Sequence, residues 1–277
     1  MDLRIFYRIY LALGKILRLA VLVCMAVILA GVGTLFALRK GPISITPLMV
    51  INQKSSKVAP MKRWVPLDSI SPEAIRAVIA SEDNNYFYHY GFDIEAIKEA
   101  MKRNERGKKV YGASTITQQT AKNVFLTPNR TWTRKGMELV ISVLIDKIWG
   151  KDRVMEVYLN VIEMGPNIYG IEAAARHYFK KSAYKLTKNE ATLIAISLPD
   201  PKKFNPARPS AYMLQRRDQL YEVVHKSMKI GWYKNVKNIK QIPVNYLDQY
   251  DIPSTKEVVE KEAQADTNAA VDDINEI

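Results

Sequence analysis

The chain has 277 residues, 48% of them hydrophobic, and a net charge of +13, which suits one sizeable core or at most two domains. A single cysteine, Cys24, excludes an intramolecular disulfide, and the scattered His89, His177 and His225 have no metal-ligand spacing, so no zinc site is expected. Residues 251–277 hold eight acids against two lysines, leaving +19 on residues 1–250. A body so basic attracts lipid headgroups, phosphorylated substrates or nucleic acid, and no nucleic-acid motif is visible.

In chain order, the first element is an uncharged run of 20 residues between Arg18 and Arg39, LAVLVCMAVILAGVGTLFAL. At about 1.5 Å per residue it matches a hydrocarbon layer of about 30 Å and predicts a transmembrane helix over residues 19–38. A cleaved secretory signal is the alternative, but its apolar core is shorter and GTLFALRKG is a poor cleavage site. Arg4, Arg8, Lys15 and Arg18 precede the run and Arg39 and Lys40 follow it, a lean toward a cytoplasmic N-terminus (residues 1–18). Residues 39–70 hold four prolines and little helical periodicity, and read as an extended linker.

From Ser71 the pattern turns helical. Ser71-Pro72 is an N-cap with proline at the first helical position, and Asp93 can cap a helix bearing Ile94, Ile97 and Met101 on one side. Arg134 to Trp149 stops at Gly150, and beyond it Val154, Met155, Tyr158, Leu159 and Ile162 form one apolar stripe. Thr187-x-x-Glu190 is a capping box, and Pro199 ends the helix it opens. No strand-rich segment of comparable length appears. The expectation is an all-α domain over residues 71–250 and a disordered acidic tail over 251–277.

Three stretches carry candidate chemistry. Ile75, Val78, Ile79 and Glu82 follow helical spacing, which puts the Glu82 carboxylate on an apolar face where desolvation raises its pKa toward that of a working general base. The plainer alternative is a helix-end acid paired with a lysine or arginine. Asp83 reads as structural, His89 as a local hydrogen-bonding partner and Gly91 as a turn residue. Next, in GASTITQQTAKN, Ser114 is the expected N-cap, with free helix amides directed past Gly112. Ser114, Gln118 and Lys122 would share one face and Thr115 and Gln119 a neighbouring row, giving either an anion site or a solvated face. The partial G-x-S-x-G match fails at Ile116, so a serine hydrolase is rejected. Third, Arg130, Arg134 and Lys135 surround Glu138, either as a helix ion pair or as a carboxylate among phosphate-binding cations.

Taken together, Glu82-Asp83 with Phe87, His89 and Gly91, then Gly112 to Gln119, then Arg134-Lys135-x-x-Glu138, then Lys151 with Val154-Met155-Glu156-x-Tyr158-Leu159-Asn160, resemble in order and spacing the signature blocks of family 51 glycosyltransferases, the peptidoglycan polymerases. The resemblance runs from Ser71 to Pro209; Ala113 stands where the family usually has glycine. It implies a lysozyme-like helical glycosyltransferase domain behind the single N-terminal transmembrane helix. The implied reaction is inverting transfer of a glycan from undecaprenyl pyrophosphate to the 4-hydroxyl of lipid II. Glu82 would be the base and Glu138 the second catalytic carboxylate. Ser114, Thr115, Gln118, Gln119, Lys122, Arg130, Arg134 and Lys135 would bind substrate or brace the cleft, and Glu156 and Asn160 would be structural. The family suggests Mg²⁺ or Mn²⁺, although no ligand set is visible, and no organic cofactor is expected. Lipid II, the growing strand, the membrane and other wall-synthesis and division proteins are the implied partners, and nucleic acid is not. About 70 residues follow Pro209, too few for a transpeptidase, so the monofunctional biosynthetic members are the ones resembled. The implied location is the bacterial inner membrane, with the catalytic domain on its periplasmic side. A lytic, lysozyme-like transglycosylase and an inactive membrane scaffold are the rival readings.

Overall fold

The computed structural model describes residues 3–55, 59–106, 112–129 and 131–227; the predicted tail over 251–277 and Arg130 lie outside them. Residues Met1–Pro42 form one unit and Ile43 onward another. The first unit is dominated by α1 (Leu3–Ala37). Within it, Tyr10–Ala37 has a mean hydropathy of 2.6 over its most apolar window and is long and apolar enough to cross a membrane. Leu17 and Leu29 are among its exposed apolar side chains, while Leu35 near its C-terminal end is buried.

In the second unit, the segment expected as an extended linker instead carries α2 (Pro47–Ser55). Pro47 starts this helix rather than breaking it. At the first helical position its missing N–H is not needed, and Thr46 caps the turn by accepting from the Met49 amide at 3.4 Å. The segment then adds β1 (Met61–Lys62), which pairs in parallel with β3 (Ile168–Tyr169); β2 (Glu163–Gly165) pairs antiparallel on the other side of β3. Asn160 clips the same segment down, accepting from the Val65 amide at 2.9 Å and donating to its carbonyl at 2.8 Å. Glu156 accepts from the Leu67 amide at 3.3 Å. Both residues have the structural place expected of them.

The rest of the unit is helical: α3 (Pro72–Glu82), α4 (Ile94–Arg106), α5 (Ile116–Phe125), α6 (Trp132–Val161), α7 (Ile171–Phe179), α8 (Lys188–Ser197) and α9 (Ala211–Ser227). The fold is therefore all-α, with one three-stranded patch. Local chemistry sets the ends. Ser71 accepts from the Glu73 amide ahead of Pro72, Asp93 accepts from the Ala96 amide, and Thr187 and Glu190 form a reciprocal capping box. Gly150, at φ 75 and ψ 167, kinks α6 in a backbone region that costs other residues about 1–3 kcal/mol. The core forms where α5 lies along α6 and α3 packs on α8 and α9. There Ile75, Ile79, Ile116, Ile145, Leu159 and Ile194 are almost wholly buried, each side chain contributing about 1.5–3 kcal/mol of hydrophobic stabilisation.

Candidate active site

Glu82 is the last residue of α3, and its neighbour Asp83 caps that helix in a non-helical conformation. The buried Asp83 ties three elements together. His89 Nε2 lies 3.0 Å from its carboxylate, and the Ile116 amide at the start of α5 donates to Oδ2 at 3.0 Å. The N-terminus of α5 is therefore spent on an internal carboxylate rather than directed past Gly112 at a substrate anion.

The cap of α5 is Thr115, not Ser114. Thr115 Oγ1 accepts from the Gln118 amide at 3.1 Å and donates to the Gly91 carbonyl at 2.6 Å, while Gln118 Oε1 accepts from the Thr115 amide at 3.0 Å. This reciprocal pair buries Gln118 to 2% exposure, so its side chain braces the helix start instead of reaching the cleft. Ser114 sits one residue outside the helix, where it accepts from Lys135 Nζ at 3.1 Å. Gly91 is held against α6: at φ 85, a Cβ placed on it would lie 2.7 Å from the Ser142 backbone, so only glycine fits.

Gln119, one position on, faces the other way. Its Nε2 donates to Glu82 Oε2 at 2.8 Å, and its Oε1 accepts from the Tyr158 hydroxyl at 3.2 Å. Burial pushes the Glu82 carboxyl above its ordinary pKa and the Asp83 charge adds to that, while the Gln119 and Ser81 hydrogen bonds and the Lys122 charge pull it down. The half-buried carboxylate lines a hollow of about 200 Å³ with Ser81, Asn84, Gly112, Ala113 and Ser114.

The cations gather around Glu138, which is 3% exposed on α6. Arg134 Nη1 donates to its Oε2 at 2.6 Å, and Lys135 Nζ donates to its Oε1. Lys122 points toward the same group and engages no acceptor among the described residues. Burial lowers its pKa; Glu138 pushes that pKa back up, Arg134 and Lys135 push it down, and Glu82 pushes it up. It therefore lies in the fields of both carboxylates. Lys122 and Arg134 line a second hollow of about 210 Å³ with Asn123, Leu126, Pro128 and, from α2, Leu48. The structure thus brings Glu82, Ser114 and Thr115 to one hollow and Lys122 and Arg134 to the other, with Gln119 bonded to Glu82, Lys135 to Glu138, and Gln118 left in the scaffold.

Sequence reasoning missed three contributors. Tyr158 reads there as one member of a core stripe, although it reaches Gln119. Asp146 accepts from Lys151 Nζ at 2.6 Å and from the Gly91 amide at 2.8 Å, locking the turn under the cleft. Arg216 on α9 has a buried Nη1 without a hydrogen-bond partner. Burial lowers its pKa, while Tyr212 and the Glu82 charge favour its charged form. The signals for these are long-range and invisible to local spacing. A larger cavity of about 710 Å³, lined by Tyr88, Tyr90, Phe92, Ile94, Val143 and Lys147, reaches neither Glu82 nor Glu138.

Both Glu138 oxygens are taken by cations, and among the described residues no three acidic, histidine or cysteine side chains group as ligands. What the arrangement can do is accept one proton at Glu82 and neutralise anionic oxygens with Lys122, Arg134 and Lys135. Such a combination suits transfer from a phosphorylated donor, whose leaving group needs charge stabilisation rather than a second acid.

Comparison with known proteins agrees with this chemistry. The family model described as Transglycosylase matches residues 50–225. The chain belongs to the transglycosylase family. A biosynthetic peptidoglycan transglycosylase of Bdellovibrio bacteriovorus is 50% identical over 196 residues, covering 69% of this chain and 78% of the relative. One of Bacteroides thetaiotaomicron is 46% identical over 220 residues, 78% and 89% of the two chains. A third, from Caulobacter vibrioides, is 45% identical over 207 residues, 74% and 90%. The match begins within α2, so the family's domain includes the segment that its prolines disguise as a linker.

Proposed function

We propose that this transglycosylase polymerises peptidoglycan glycan strands, transferring the growing strand from undecaprenyl pyrophosphate to lipid II. Glu82 takes the proton from the acceptor 4-hydroxyl as that oxygen bonds to C1 of the donor sugar; the C1–oxygen bond to pyrophosphate breaks, with inversion. A positioned base contributes about 10²–10⁴-fold. Lys122, Arg134 and Lys135 neutralise the departing pyrophosphate, and Glu138 holds the latter two at fixed positions. Arg130 is assigned to the same anion by the sequence pattern alone. Ser114 and Gln119 complete the cleft wall.

The observation that carries this reading is one desolvated carboxylate, Glu82, sharing the field of Lys122 with the cluster in which Arg134 and Lys135 hold the buried Glu138. A lytic enzyme cleaving a neutral glycosidic bond has no use for that cluster. The apolar α1 supports a single-pass anchor that keeps the enzyme beside a polyprenyl substrate. Following the charge distribution around that helix and the extracytoplasmic place of wall assembly, residues 1–18 are assigned to the cytoplasm and the catalytic domain to the periplasmic side. Other wall-synthesis and division proteins are its proposed neighbours there.

The test is incubation of the detergent-solubilised full chain with labelled lipid II, wild type beside Glu82→Gln. Wild type should form glycan polymer and the variant at least about 100-fold less. Absence of polymer with wild type, equal polymer with the variant, or clearing of cell walls without lipid II would each overturn the reading.

A further inference from the structure

Tyr158 is 0% exposed, yet its hydroxyl is not a core filler. It donates to Gln119 Oε1 at 3.2 Å, and Gln119 Nε2 donates in turn to Glu82 Oε2 at 2.8 Å. A glutamine amide beside a carboxylate can adopt two orientations related by a half-turn. With the carbonyl end satisfied by the tyrosine, the N–H end meets the carboxylate and favours its ionised form. In the reverse orientation the carbonyl oxygen would face the carboxylate, an arrangement stable only when Glu82 carries a proton and donates it. The Tyr158 hydroxyl would then accept from the amide N–H. Donating as it does here, the Tyr158 hydroxyl holds the amide in the orientation that supports ionised Glu82.

We infer that Tyr158 is a positioning residue for the reaction, acting through the Gln119 amide to keep the Glu82 carboxylate ionised and ready to accept the substrate proton. This rests on the reading of Glu82 as the base. The other groups that bear on Glu82 come from every side: Asp83 and Ser81 beside it, Lys122 on α5 and Arg216 on α9. Ser81 also hydrogen-bonds the carboxylate, but neither it nor the charged neighbours turn with the Gln119 amide, which is the group that joins Glu82 to Tyr158. In the pH dependence of polymerisation, the carboxylate is active above its pKa, so the acid limb reports that pKa. Losing the tyrosine hydroxyl releases the amide, favours the protonated acid and moves the acid limb to higher pH.

The experiment is the pH–rate profile of lipid II polymerisation by the full chain in detergent, for wild type, Tyr158→Phe, Gln119→Leu and the double variant, with thermal unfolding of each. The acid limb of Tyr158→Phe should move up by about one pH unit, lowering the rate roughly tenfold on the acid side of the midpoint. Gln119→Leu should move it in the same direction, and the double variant should add nothing beyond Gln119→Leu, since both act through one amide. A folded Tyr158→Phe whose midpoint stays at the wild-type pH, or double-variant shifts that simply add, would overturn the inference. A purely structural tyrosine would lower melting temperature and plateau rate without moving the midpoint. If Tyr158→Phe does not fold, 3-fluorotyrosine at position 158 keeps the shape and strengthens the donor, and must move the limb to lower pH. Failure of wild type to polymerise at all would instead count against the parent reading.

Discussion

Glu82 sits where its ionised form is costly to hold. Burial raises its pKa above the value it has in the unfolded chain, so the folded state keeps that proton at a pH where the unfolded state has released it. Stability contributed by this residue is then greatest below the unfolded pKa and is lost as pH rises through the folded one. At neutral pH the carboxylate opposes folding, and Glu82→Gln should raise the melting temperature even as it abolishes polymerisation. About 1 kcal/mol corresponds to about 2–4 °C in a domain of this size. Calorimetry at pH 7.5 and pH 4 checks this: the gain should be present at the higher pH and shrink at the lower. Lys122 shows the opposite charge under the same constraint, a partly buried ammonium with no acceptor of its own among the described residues. Lys122→Met should weaken the enzyme chiefly toward pyrophosphate-bearing donors, with a loss of about 10²-fold in kcat/KM, and leave thermal stability unchanged or higher.

At the level of elements, the turn at Gly91 joins α4's lead-in to α6 and to the cap of α5. Its amide reaches Asp146, its carbonyl receives the Thr115 hydroxyl, and its missing Cβ lets Ser142 approach. Gly91→Ala should cost about 2–4 kcal/mol from positive-φ strain and overpacking together, seen as a melting temperature at least about 5 °C lower. Much of this level is legible in the sequence, because caps are local: Ser71, Asp93, Gly150 and the Thr187–Glu190 box each act within four residues. The start of α5 is less so. Ser114 and Thr115 are adjacent hydroxyls, and the deciding signal is the glutamine three residues after Thr115, which makes the reciprocal cap. The start of α2 is masked by Pro47, since a proline in a loop-like composition reads as a breaker unless the preceding Thr46 is recognised as its cap. Spacing marks Glu82 and Glu138 as candidates and the family resemblance gives them roles, whereas Tyr158, Asp146 and Arg216 stand out by neither. Their partners lie 39, 55 and more than 100 residues away, beyond any periodic pattern.

For the whole molecule, the division after Pro42 makes a distinct prediction. A chain beginning at Ile43 retains β1, the Asn160 clip and α2, and should fold and polymerise lipid II in detergent, while losing activity on lipid II held in vesicles. A chain beginning at Ser71 strips β3 of its parallel partner and uncovers the face of α5 on which α2 packs. It should fail to give a cooperative unfolding transition. Circular dichroism melts and polymer formation on both substrates separate the two cases. One element also spans functions that look separate. The first turns of α6 carry Arg134, Lys135 and Glu138, and its last turns carry Tyr158 and Asn160, with the bend at Gly150 between them. The groups that receive the leaving phosphates and the hydroxyl that sets the base's proton affinity are thus mounted at opposite ends of a single bent beam. The angle of that beam is a shared calibration: altering it at Gly150 detunes the anion grip and the proton acceptor in one stroke, although no reacting atom is touched.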